Sequence, residues 1–104
     1  MRPSRNPSLI HAFSAVLKAR RTELGLTQED LAGATELDRP FITMMEAGRK
    51  QPTLSVLWRL ASGLQLSLAE LSARIDVALV MIQSPAASAS EAKPRARRAV
   101  KRAE

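Results

Sequence analysis

Cysteine is absent from the 104-residue chain, and so is tyrosine. Without cysteine there is neither a disulfide framework nor a zinc finger, and a reducing compartment such as the cytoplasm is the natural home. His11 is the sole histidine, with no carboxylate cluster beside it in the sequence, which argues against a metal centre. Long hydrophobic runs are missing as well. The opening MRPSRNPSLIHAF lacks the apolar stretch of a signal peptide. The longest apolar run, Val77–Ile82, is far too short to span a membrane. No nucleophile–base pair, metal-ligand cluster or Gly-rich phosphate loop stands out, so an enzyme is a poor fit and no cofactor is expected.

What is present is one modest core's worth of chain and an excess of positive charge. The length suits one domain rather than two. Net charge is +6, unevenly spread. Residues 1–82 hold ten Lys/Arg against eight Asp/Glu, and residues 83–104 hold six against two. Most of the excess therefore lies in SPAASASEAKPRARRAVKRAE, where Val100 is the only bulky apolar side chain. Such a segment cannot bury enough surface to offset its chain entropy, which predicts a disordered basic tail over 83–104. It either solubilises the domain or adds phosphate contacts. Residues 1–6 read as a flexible arm.

Between these ends, residues 7–82 carry the signals of five helices. Asn6 and Pro7 form an N-cap followed by proline at the first helical position. Leu9, Phe13, Val16, Leu17 and Leu24 recur at helical spacing as far as Gly25. Thr27 and Asp30 make a capping-box variant for a second helix, with Leu31 and Ala32 inward. Ala34–Leu37 is short enough only for a turn. Asp38 is the N-cap candidate of a third helix with Ile42 and Met45 on one face, closed by Gly48. Thr53, after Pro52, caps a fourth helix with a stripe of Leu54, Leu57, Leu60, Ala61 and Leu64. Trp58 falls beside that stripe, at the edge of the core. Gly63 is expected to loosen the helix's last turn. Ser67 and Glu70 form a further capping box, and Leu68, Leu71, Ile75, Leu79 and Ile82 follow at three- and four-residue steps. The late part of this fifth helix is apolar all round, which one small domain cannot cover by itself. Leu71, Ile75, Leu79 and Ile82 are the expected dimer interface, with covering by the first helix as the alternative.

Short helix, corner, second helix over 27–49 is an arrangement that offers one helix to the DNA major groove. The segments TQEDLA and LDRPFITMMEAGRKQPTL resemble the lambda-repressor/Cro-type (XRE-like) helix-turn-helix family. The resemblance is closest to its small stand-alone regulators, such as restriction-modification controller proteins, and spans roughly Phe13 to Ile75. It implies an all-α, five-helix lambda-repressor-like domain. It also implies a structural pair between Arg21 and Glu46 that ties the first helix to the third. Relatives often carry Gly or Asn at the place of Glu36, where the turn favours positive φ, so Glu there implies local strain.

The expected DNA contacts follow. Arg39 leads the recognition helix and can make two hydrogen bonds to guanine O6 and N7. Pro40, Thr43 and Met44 are the other candidate base contacts, although relatives often have a polar or basic residue in place of Met44. Gln28, Arg49 and Lys50 are candidate phosphate contacts, and Phe41 packs at the motif's edge. Asp38 is read as a cap rather than a base reader. The expected function is a sequence-specific, DNA-binding transcriptional regulator acting on double-stranded DNA as a homodimer. Glu29 and Asp30 serve either helix capping or, as in activating members of the family, contact with RNA polymerase as a further partner. No sensor domain fits the remaining length, and no membrane is involved. The alternative is an antitoxin-like protein that binds a toxin partner. A tail-driven, non-specific nucleic-acid binder also stays open.

Overall fold

Five helices form the regular structure of residues 5–83, the part of the chain that the computed structural model describes; no strand occurs among these residues. They are α1 (Pro7–Glu23), α2 (Gln28–Thr35), α3 (Arg39–Glu46), α4 (Leu54–Gly63) and α5 (Leu68–Gln83). Residues 1–4 of the expected arm and 84–104 of the expected tail lie outside the described residues. No described helix is long and apolar enough to cross a membrane.

Short-range chemistry sets most helix ends where the sequence places them. Asn6 accepts the Leu9 amide at 3.1 Å, and Pro7 follows at the first helical position. At α2 the Asp30 amide donates to Thr27 Oγ1, and the Thr27 amide donates to the Asp30 carboxylate, each at 2.9 Å. The Ser67–Glu70 box repeats this at α5, with distances of 2.7 and 3.0 Å. Backbone amide donation from Thr27 and Ser67 holds the Asp30 and Glu70 carboxyls below their ordinary range. Thr53 accepts the Val56 amide at 3.2 Å.

Asp38 departs from this pattern. It occupies the N-cap position of α3, yet its side chain makes no capping bond. The cause lies in the next three residues. A cap accepts from the second or third helical amide. Pro40 has no amide hydrogen, and the Phe41 amide is taken by the Asp38 carbonyl at 3.1 Å. Neither amide that a cap ordinarily takes is left for the carboxylate. The corner also starts later than expected, because α2 continues to Thr35 and Glu36 becomes its left-handed C-cap at φ 60°. The resemblance anticipated that conformation. Gln65 repeats it at φ 61° between α4 and α5, with no sequence signal. Each costs about 1 kcal/mol or more.

The core gathers Phe13, Leu17, Leu31, Ile42, Met45, Leu60, Leu64 and Leu71. The helix α1 packs along α5 and also touches α3, while α2 packs on α3 and α4. This packing corrects several expectations. Leu71 is 0% and Ile75 7% exposed, because α1 covers that face; they are intramolecular core, not dimer interface. Leu79 and Ile82 are half-buried against the same core. The large apolar residues that α5 leaves exposed are Val77, Val80 and Met81. On α4 the stripe is narrower than the sequence suggests, with Leu54 73% and Trp58 60% exposed. Leu9 is exposed as well.

Gly63 does not loosen α4; it lets α4 approach α2. A Cβ at this position would lie 2.6 Å from Thr35 Cγ2 and 3.2 Å from Leu31 Cδ1. Thr35 cannot turn away easily, since its hydroxyl reaches the Leu31 and Ala32 carbonyls at 2.7 and 3.2 Å. Gly63→Ala should therefore lose about 1–3 kcal/mol to overpacking, offset by up to about 1 kcal/mol of helix propensity. Urea unfolding should show a net loss. A variant as stable as the parent would mean that α2 and α4 separate freely there.

Candidate nucleic-acid interface

The helix α3 is packed into the core by its inner face and exposed on its outer one. Ile42 and Met45 are fully buried. Arg39, Pro40 and Thr43 are exposed, while Met44 and Phe41 are half-buried. The first turn of α3 therefore stands clear of the chain that carries it. Among the described residues Arg39 forms no ion pair. Arg49 and Lys50, just beyond α3, are exposed too. Arg5 reaches this end of the motif, its Nη1 lying 3.5 Å from the Arg49 carbonyl oxygen.

Beneath the exposed face runs a chain of polar contacts joining three helices. Arg21 on α1 meets Glu46 on α3 through Nε–Oε2 at 2.6 Å and Nη2–Oε1 at 3.0 Å, so the pair expected from the resemblance forms in bidentate geometry. The two side chains are 13% and 5% exposed. The bond from Glu46 raises the Arg21 pKa above its ordinary value, against the opposing effect of burial. Arg21 Nη1 also donates to the Leu26 carbonyl at 2.7 Å, fixing the entry to α2. Gln28 at the start of α2 donates Nε2–H to Glu46 Oε1 at 3.0 Å. Its Oε1 accepts from the Thr43 hydroxyl at 2.7 Å. The Gln28 amide is thus largely occupied by protein partners, with one N–H left over.

Two further ties were not read from the sequence. Ser14, buried on α1, points its hydroxyl at the Ile10 and Met45 carbonyls at 2.8 and 2.7 Å, linking α1 to the end of α3. Its only signal was a serine lying between Phe13 and Leu17. Arg20 sends Nε to the Leu64 carbonyl at 3.0 Å and Nη1 to Glu23 at 2.7 Å. It thereby satisfies the end of α4 while pairing within its own helix.

Comparisons with known proteins agree with this fold. A family model described as helix-turn-helix matches residues 17–71. An uncharacterized HTH-type transcriptional regulator of Sinorhizobium fredii is 36% identical over 56 residues, which cover 54% of this chain and 73% of that protein. The control protein C.MunI from a Mycoplasma species is 32% identical over 59 residues, or 57% of this chain and 80% of the relative. Among solved structures, the restriction-modification controller protein C.Esp1396I, crystallised as a tetramer with its natural 35 base-pair operator, superposes with a TM-score of 0.66. It is 32% identical, and the match covers 69% of this chain and 95% of that one. With its all-α, five-helix architecture and the 27–49 motif in place, the chain belongs to the helix-turn-helix family, in the XRE-like group of DNA-binding transcriptional regulators.

Proposed function

We propose that this regulator recognises a two-fold symmetric operator as a homodimer, each copy setting the first turn of α3 into the major groove. The carrying observation is the division of α3 between fully buried Ile42 and Met45 and exposed Arg39, Pro40 and Thr43. That division leaves a guanidinium where a base edge would sit. Arg39 reads guanine, while Pro40 and Met44 offer apolar contact to thymine methyl groups. Gln28, Arg49 and Lys50 anchor the duplex by its phosphates, aided at Gln28 by the positive end of α2. The relative crystallised as a tetramer on its operator supports multiple copies acting together. Selection of bound DNA from a random pool tests the reading. The expected product is a palindrome with half-site centres about 10 base pairs apart or a multiple of that. A non-palindromic or featureless pool would remove it.

The second copy is met through the outer face of α5, where Val77, Val80 and Met81 are exposed at helical three- and four-residue spacing. Val77→Glu places a charge on that face without touching the buried Leu71 and Ile75. It should give monomers in sedimentation and weaken operator binding, with little change in thermal stability extrapolated to low protein concentration. An unchanged mass would exclude this face of α5 from the interface.

A further inference from the structure

We propose that Thr43 and Gln28 act as a positioning pair for the recognition helix, the Thr43 hydroxyl being committed to Gln28 and not to a base. The inference deepens the operator-binding reading above and rests on it. The direction of every hydrogen bond in the network is fixed from one end. Glu46 is a carboxylate and can only accept. Its Oε1 takes Arg21 Nη2–H and Gln28 Nε2–H, both at 3.0 Å. The Gln28 amide must therefore turn its NH2 toward Glu46, because the flipped amide would set oxygen against oxygen. That orientation turns Gln28 Oε1 toward Thr43, which lies one turn before Glu46 on the same helix. The Thr43 oxygen lies 2.7 Å from it, a separation that requires the hydroxyl proton between them.

A hydroxyl has one proton. The other acceptor in reach, the Arg39 carbonyl one turn back, is farther at 3.1 Å. While the network stands, Thr43 has no hydrogen to donate to a base acceptor in the groove. Gln28 keeps one amide hydrogen, and that is the one available to a phosphate at the start of α2. The same side chain thus holds the outer face of α3 by its oxygen and the DNA backbone by its nitrogen. The angle at which Arg39 enters the groove is set from Arg21 on α1, through Glu46 and Gln28, to Thr43.

The test uses the full chain on its selected operator and on every single-base variant of it. Thr43→Val removes the hydroxyl and keeps the shape. It should bind the operator about three- to tenfold more weakly per copy, the worth of one net hydrogen bond, and so about ten- to a hundredfold more weakly as the symmetric dimer, with preferences at all base positions retained. Thr43→Ser should restore binding, which loss of methyl packing would not do. Gln28→Leu should weaken binding too, and adding Thr43→Val to it should weaken binding no further, since the two residues act through one contact. Three results overturn the inference: altered preference at a single base pair in Thr43→Val, additive losses in the double variant, or parental affinity in Thr43→Val. If the parent protein selects no symmetric site, the operator-binding reading falls with it, and that failure is seen before any variant is made.

Discussion

Glu46→Ala is expected to destabilise the fold by about 3–5 kcal/mol, the usual cost of removing one partner from a buried ion pair. Both side chains are largely withdrawn from water, at 5% for Glu46 and 13% for Arg21. Deleting the carboxylate leaves the Arg21 guanidinium desolvated, with the Leu26 carbonyl as its remaining partner. It also strands the Gln28 amide. For a domain of this size each kcal/mol shifts Tm by about 4–8 °C, and total stability is only about 5–15 kcal/mol, so the variant should sit close to unfolding at ordinary temperatures. Denaturant titration is the measurement. The informative control is the double variant Arg21→Met, Glu46→Leu. Apolar replacement of both partners removes the desolvation problem, so the double should recover much of what either single loses. A Glu46→Ala protein within about 1 kcal/mol of the parent would show that Arg21 finds water once released.

The elements most legible in the sequence were those governed by neighbours in the chain. The Thr27–Asp30 and Ser67–Glu70 boxes, the Asn6 and Thr53 caps and the C-terminal Gly48 at φ 78° each depend on residue types within about one helical turn. Asp38 shows where that logic stops. The residue type was right for a cap, but the two candidate donors were removed by Pro40 and by the Asp38 carbonyl. That second loss is a matter of geometry, which composition does not carry.

Burial was less legible, because periodicity says that a face is apolar and not what covers it. Leu71 and Ile75 have the same spacing whether α1 or a second copy lies on them, and the structure gives them to α1. Trp58 and Leu54 extend the apolar face of α4 beyond the width that its neighbours cover. Within its own helix Gly63 signals only a weak point, whereas its meaning lies in Thr35 and Leu31 of another. The Arg21–Glu46 pair sits 25 residues apart in sequence, and only the family resemblance brought it forward. The continuation through Gln28 to Thr43 was invisible, since a Gln and a Thr on neighbouring helices carry no mark of which atom faces which.

Arg39→Ala should relax base preference at one position in each half-site. A bidentate guanidinium–guanine contact is worth about 1–3 kcal/mol of discrimination, and the proposed symmetric complex would make it twice, so operator affinity should fall by roughly 2–6 kcal/mol. Binding to random DNA should fall far less, because that term depends on cations at the phosphates. Arg39 is suited to base reading by position. It is the first residue of α3, exposed, with no ion-pair partner among the described residues. The buried Ile42 and Met45 on the opposite face restrict how far the helix can rotate. Arg39→Lys separates fork from charge. Lysine keeps the positive charge but cannot present two parallel donors to O6 and N7, so it should lose the base preference while retaining non-specific affinity and most of its salt dependence. Competition binding with operators substituted one base pair at a time reads both quantities. Equal losses on operator and random DNA in Arg39→Ala, with the base profile unchanged, would make the guanidinium a phosphate contact and move sequence reading to the remainder of the α3 surface.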